Sequence, residues 1–530
     1  MTYDTTLVES LETKVEHGTL PACLKRDNLS PEYFPASTRS QLGLVITLCL
    51  LFSWTCFHRL NHTDLWGHLD FGRWIAQHQA LPAMDPFAAE PSSQAIVHSA
   101  WLSQVLGYQL LEALGLEGLV LGHACLATLG VGVLIAAIRQ RGTPLCWAIA
   151  GGVAYYLLSL PIIGTIRPQL FGMVGAPLVL LACAYLPEKR HPLVWLPVVF
   201  ALWANLHGSF VMGLVMLGAG CIGVTWRIFG ETGGLKQTAT DLRCVRVWSA
   251  LGLSVVGASL NPQGPALLVS VLSFGQHTAL AGISEWRSLS VVSLSGVLFY
   301  TSLVALLAMF KFSPKRWEMS DLLLVLVFGL ATVSSMRMLA WWAVIWPWVF
   351  VPYVVAFWEA RYGSEEAAPA TPMRSVLATG FVFMALLISP PSNNLILGRE
   401  RGIGTIGGKD TPIYVADEIA RRKLEGAFYA PMDWSDYLVW EQPDGFRPLV
   451  YSHVHLLGPG VWEDHQQISA GSGDWLALAD KHHLKYLVIS RQRNQQLAGQ
   501  VFRYSQQPKT RASVLYQDKK AILVRLADAK

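Results

Sequence analysis

The chain has 530 residues, of which 52% are apolar and only 14% are charged. Ordinary globular chains carry roughly a quarter charged residues, so this composition excludes a soluble globular protein. A formal net charge of +4 is too small to suggest a nucleic-acid partner.

Residues 1–40 are polar and do not form a signal peptide; they read as a cytoplasmic segment. The first apolar run, from about Leu42 to Phe57, reads as a signal-anchor helix. Further apolar runs of helix-spanning length fall near 118–138, 144–162, 169–186, 192–207, 209–229, 247–260, 293–310, 319–333, 338–358 and 374–390. The expected fold is an α-helical polytopic membrane domain over 41–392, with about eleven transmembrane helices and a first outer loop at 59–100. Trp101–Leu116 is open to two readings, a further span or an interfacial helix. The eight cysteines form no CxxC pattern, and the C-terminal stretch has none.

Charge sets the expected orientation. One set of loops holds Arg139 and Arg141, Lys189 and Arg190, then Arg227, Lys236, Arg243 and Arg246, then Lys311, Lys315 and Arg316, and finally Arg361 and Arg374. The alternate loops hold single arginines: Arg59, Arg73, Arg167, Arg287 and Arg337. The positive-inside rule places the first set, and the N-terminus, in the cytoplasm. Residues 393–530 are then extracytoplasmic and read as a small α/β domain able to fold alone. In it, Thr411-Pro412 opens a helix running to Leu424. Strand-like runs follow at Pro448–Ser452 and Tyr486–Ser490, Asp474 opens a helix between them, and a hairpin joins Ser513–Tyr516 to Ala521–Arg525.

In this orientation the polar residues collect on one face. The first loop contains the run from Asn61 to Asp70, with Asp64 and His68, then Asp85-Pro86-Phe87, His98 and Trp101. Arg167-Pro168-Gln169, the Trp203–Gly208 run with His207, Asn261-Pro262, Glu285-Trp286 and Arg337 lie at helix ends on the same side. Ionisable groups at such depth are costly and tend to line a cavity. Each also has a plainer reading. Asp64 suits a helix N-cap, Asp85-Pro86 a turn, and Arg167 and Arg337 lipid headgroups. His207 suits a polar helix end, and Glu285-Trp286 an interfacial anchor. His453 and His455 have the spacing of ligands on one strand face, but no third metal ligand follows from spacing.

The run Asp64-Leu65-Trp66-x-His68, with Gly72-Arg73-Trp74-Ile75 and Asp85-Pro86-Phe87, resembles the first outer loop of a bacterial membrane-protein family placed with the GT-C glycosyltransferases, relatives of protein mannosyltransferases and aminoarabinose transferases. Arg167-Pro168-Gln169-Leu170-Phe171, Trp203–Gly208, Asn261-Pro262 and Glu285-Trp286 resemble later landmarks, and Asp433-Trp434-Ser435-x-Tyr437 resembles a C-terminal motif. The resemblance implies transfer of a sugar from a polyprenyl-phosphate donor to an extracytoplasmic acceptor, with inversion, at the bacterial inner membrane. Asp64 or Asp85 is then the catalytic base. His68, Arg167, His207, Glu285 and Arg337 bind substrate, and Asp433, Trp434 and Tyr437 contact the acceptor. The first loop lacks an adjacent acidic pair, and Ala100 precedes Trp101 where relatives often have glutamate. No metal or other cofactor is therefore expected, although the pattern leaves a divalent ion open. Non-catalytic alternatives are a scaffold or transporter of the same architecture. A transporter favours charges deep within its spans and helices broken at midplane. An O-antigen-ligase-type transferase needs a large late outer loop that is missing here.

Overall fold

The computed structural model describes residues 36–60, 64–93, 95–274, 284–363, 369–508 and 510–527; the segment 1–35 and Asn61, His62 and Thr63 of the first-loop run lie outside them. Every predicted apolar run lies in a helix, from Arg39–Cys56 through Pro372–Ile388. Among the described residues, six helices are long and apolar enough to cross a membrane. Pro372–Ile388 makes a seventh if joined to Pro390–Ile396 across a 76° bend. Gln169–Tyr185, Pro192–Leu206 and Met319–Ser334 are apolar but shorter. These helices make the chain a multi-pass membrane protein.

Trp101–Leu116 ends in a break. Within the 40-residue stretch Trp101–Gln140 two helices meet at a kink, Gly115, where φ is +62°, so the residues before it form a helix distinct from the apolar run 118–138. Glycine meets that left-handed conformation without the Cβ penalty. Just past the break, Glu117 is buried and takes Arg401 in two 2.6 Å bonds and Asn394 in a third. The link from the last apolar helix to the C-terminal domain is thereby pinned to the bundle. At the far end of the bundle, Arg141 bridges Asp321 at 2.8 Å and Glu318 at 3.3 Å, tying two of the basic loops together.

The C-terminal domain carries a five-stranded sheet of order β2-β1-β3-β5-β4, from β1 (Gly426–Tyr429), β2 (Phe446–Pro448), β3 (Tyr486–Ser490), β4 (Ala512–Gln517) and β5 (Ala521–Leu526). β1 pairs in parallel with β2 and β3, and the hairpin β4–β5 adds to β3 antiparallel. The hairpin and β3 match expectation, and Asp474 caps its helix by accepting from the Leu476 and Ala477 amides. Three details differ. β1 was not anticipated, and β2 ends at Pro448, where the expected strand began. The third is at Thr411-Pro412: Pro412 holds the cap position, and no side chain bonds there.

The core of the domain is continuous with the first loop. Leu60, Leu65, Trp66, Leu69, Phe71, Phe87 and Ile96 of the first loop are buried in one cluster with Phe428, Tyr437, Tyr451 and Leu487. Backbone bonds stitch the seam: the Ala89 amide donates to the Pro448 carbonyl, and the Ser92 amide to that of Leu456.

Candidate functional site

The Asp64–His78 helix builds the floor of the site. Its apolar face buries Leu65, Trp66, Leu69, Phe71 and Ile75. Gly72 lets it press against the Trp101–Gln140 helix: a methyl group there would sit 2.1 Å from the Gln104 carbonyl oxygen. That approach brings Gln104 Nε2 to 3.2 Å from His68 Nδ1. An amide nitrogen only donates, so Nδ1 accepts and the His68 proton lies on Nε2. Asp64 is the first residue of the helix rather than its cap. His68, four residues on, shares its face.

Arg167 lies at the centre. Its Nη2 is 3.0 Å from Asp64 Oδ2, and its Nη1 donates to both oxygens of Glu285, at 2.8 and 3.0 Å. Glu285 belongs to a short 3₁₀ turn held to the 335–337 turn: Ser335 Oγ donates to the Glu285 carbonyl at 3.3 Å, and the Met336 amide to that of Arg287. The tether places Arg337 over the Trp286 ring, 5.1 Å from its centre, within electrostatic reach of Glu285, Arg167 and Asp64. His207 sits in the turn after Leu206, with Nδ1 accepting from the Ser209 amide. Burial, then Arg337, His68 and Arg167, keep its imidazole neutral by lowering its pKa. Six sequence-predicted groups, Asp64, His68, Arg167, His207, Glu285 and Arg337, thus converge from five separate stretches of chain.

The opposite wall comes from the C-terminal domain. His453 packs edge-on against His68, ring centres 5.1 Å apart, and lies 5.9 Å from His455. His455 meets Phe274 at 5.0 Å, and Phe274 meets Trp286 at 6.0 Å. A band of rings therefore runs from Arg337 back to His68. His453 and His455 flank and enter a 3₁₀ turn rather than one strand face. Among the described residues no three His, Cys, Asp or Glu side chains could hold a metal ion together.

The remaining predicted residues lie elsewhere. Asp85 is buried, its Oδ1 accepting from the Phe87 and Ala88 amides and its Oδ2 from the Tyr451 hydroxyl at 2.8 Å. Trp434 and Tyr437 are buried in the shared core, Tyr437 edge-on to Trp66 at 5.2 Å. Asp433 pairs with Arg493 on the domain surface. The residue of that motif that reaches the site is Asp436, which sequence reasoning passed over. It is 0% exposed and lies on Gly67, where a methyl group would fall 2.6 Å from Oδ1. The only sequence signal for it was that glycine, one turn after Asp64.

Below the charges, an apolar slot of about 120 Å³ opens between three helices. Leu65, Leu106, Leu110, Leu126 and Phe171 line it, and His68 and Arg167 stand at its polar margin.

No family model matches the chain, and no curated protein matches it. Solved structures do. The archaeal oligosaccharyltransferase AglB from Archaeoglobus fulgidus, in complex with an inhibitory peptide and a dolichol-phosphate, superposes with a TM-score of 0.55 at 12% identity, over 85% of this chain and 69% of that one. Arabinofuranosyltransferase AftD from Mycobacteria gives 0.52 at 17% identity, over 94% of this chain and 40% of AftD. ArnT from Cupriavidus metallidurans bound to undecaprenyl phosphate gives 0.49 at 15% identity, over 92% and 98%. With its helical bundle, its ring of polar helix ends and its likeness to AglB and AftD, the chain has the fold of the GT-C-type membrane glycosyltransferases.

Proposed function

We propose that the chain is an inverting glycosyltransferase that moves a sugar from a polyprenyl-phosphate donor to an acceptor outside the cytoplasm of a bacterial inner membrane. The orientation rests on the positive-inside pattern, and the shorter apolar helices are counted as spans. The observation that carries the reading is Arg167, held between Asp64 and Glu285 at the polar margin of the apolar slot. A lipid phosphate needs this combination: arginine for its oxygens, which it can bind in a bidentate fork, and an apolar surface for its chain. The dolichol-phosphate bound to AglB is a ligand of that class.

In this reading Glu285 and Asp64 occupy the guanidinium until the donor phosphate competes for it. Arg337 adds a second positive charge, and His68 supplies an Nε2–H donor. The acceptor hydroxyl loses its proton to Asp64 as its oxygen attacks the anomeric carbon. The C–O bond to phosphate breaks, and the departing charge stays on the phosphate beside the arginines. Attack from the face opposite the leaving group inverts the anomeric carbon. Asp85, Trp434 and Tyr437 are assigned to docking the C-terminal domain rather than to chemistry, and Asp433 to its surface.

The test is Asp64→Asn in nanodiscs, with transfer and undecaprenyl-phosphate binding measured together. Transfer should fall by roughly 10²–10⁴-fold, the usual range for losing a general base, with binding within threefold of wild type. Arg167→Gln should instead weaken binding. Near-normal transfer by Asp64→Asn removes Asp64 as the base.

A further inference from the structure

Asp436 is a fully buried carboxyl group whose Oδ2 has no hydrogen-bond partner among the described residues. Its Oδ1 accepts twice from Ser452: from the hydroxyl at 3.0 Å and from the amide at 3.4 Å. An oxygen facing an amide N–H is the acceptor of its carboxyl group, so the Ser452 hydroxyl proton points at it. The Ser452 oxygen is then left to accept, and its neighbour at 3.1 Å is His453 Nδ1. His453 must therefore carry its proton on Nδ1 and a lone pair on Nε2. His68, whose ring packs against it, has the reverse arrangement, because Gln104 donates to its Nδ1. The two facing imidazoles present one donor and one acceptor, and each is set by a different part of the chain.

We propose that His453 is the acceptor-recognition residue of the site, its Nε2 accepting a hydrogen bond from the hydroxyl of an incoming polyol or glycan, and that Asp436 and Ser452 are positioning residues that hold its tautomer. This rests on the glycosyltransferase reading and names its acceptor side. Burial, then the neighbouring His68 and His455, lower the pKa of His453 and keep it neutral, as a lone-pair acceptor requires. Burial, then Asp64 and Asp70, raise the pKa of Asp436 above the usual carboxylate range, and its Oδ1 accepts from Ser452 whether or not the group is ionised. The division of labour follows from position. His68 stands beside Arg167 at the lipid slot, whereas His453 comes from the C-terminal domain, on the side from which a water-borne acceptor enters.

The experiment uses the full chain in nanodiscs with ¹⁵N-labelled histidine, and the His453→Gln variant assigns the His453 signal. The wild type should show His453 protonated on Nδ1. Ser452→Ala should shift it towards the Nε2–H form, and Ser452→Thr should restore it. A wild-type Nε2–H signal, or no change in Ser452→Ala, overturns the proposal. In parallel, envelope vesicles from a strain lacking this chain, metabolically labelled with tritiated sugar, report transfer. His453→Gln should raise the acceptor concentration needed for half-maximal transfer at least tenfold, while undecaprenyl-phosphate affinity stays within twofold. Unchanged acceptor dependence overturns the recognition role even with the expected tautomer. Failure of the wild type to bind undecaprenyl phosphate would instead sink the transferase reading, and the tautomer result would still stand or fall separately.

Discussion

Both oxygens of Asp85 are engaged, by two amides and the Tyr451 hydroxyl. Asp85→Ala strands those buried donors, and each unsatisfied group costs about 1–3 kcal/mol. The variant should lose roughly 3 kcal/mol of stability by the same principle, read as a lower Tm, while transfer per folded molecule changes less than threefold. A loss as large as that of Asp64→Asn would return Asp85 to the chemistry. The pH dependence has a definite sign. Burial, opposed by the Phe87 amide and Tyr451, raises the Asp85 pKa. Its contribution is therefore fully present below the unfolded value of about 3.9 and is lost as pH rises through the folded value. Compared with Asp85→Asn, the wild type should lose stability on going from acid to neutral pH. A constant difference between the two would refute the assignment. Asp64 and Asp85 were both legible in the sequence as loop carboxylates. The Asp85 turn to the Phe87 and Ala88 amides is local. What separated the two carboxylates was Arg167 on Asp64 and Tyr451 on Asp85, about a hundred and more than three hundred positions away, which leave no local trace.

At the scale of elements, the Asp64–His78 helix is clamped on two sides, and a glycine makes each contact possible. Gly72 faces the Gln104 backbone carbonyl, which cannot swing aside, whereas Gly67 faces the Asp436 and Ser452 side chains. Overpacking typically costs about 1–3 kcal/mol. Gly72→Ala should exceed the Gly67→Ala cost, because the helices themselves must separate. Gly67→Ala should mainly loosen the C-terminal domain, read as faster proteolysis near the seam at a modest change in Tm. Equal Tm losses with equal proteolysis would contradict this. The helix itself was readable from its sequence, but its clamping was not, since a glycine reads the same in a crowded contact and an open one.

For the whole molecule, two outcomes are expected. Reporter fusions at Gly142, beside the Arg141 cluster, and at Gly426, in the sheet, should give opposite topological signals; matching signals would refute the orientation. The second concerns the fragment 405–530. Its core includes Trp66, Phe71, Phe87 and Ile96 of the first loop, and His482 reaches Glu90 at 2.9 Å across the same seam. Cut from the chain, the fragment exposes that face. It should keep mixed α/β far-ultraviolet dichroism but bind hydrophobic dye and lack a cooperative melt. A sharp two-state melt would show that the domain is autonomous after all.

The amino-acid sequence alone determined the membrane class, the position of most of the apolar helices (Ala266–Phe274 excepted) and the end of the bundle at which polar residues gather. Burial in lipid imposes composition and length on contiguous residues, so these features can be read locally. The β4–β5 hairpin was equally readable, because turn and strand signals are also short-range. Tertiary structure alone decided that Arg167 joins Asp64 to Glu285, that Asp436 rather than Asp433 faces the site, and that the C-terminal domain shares its core with the first loop. Each of these is a contact between distant stretches of chain. Their energetics depend on which donor or methyl group arrives from the other side, and no single stretch of sequence carries that information.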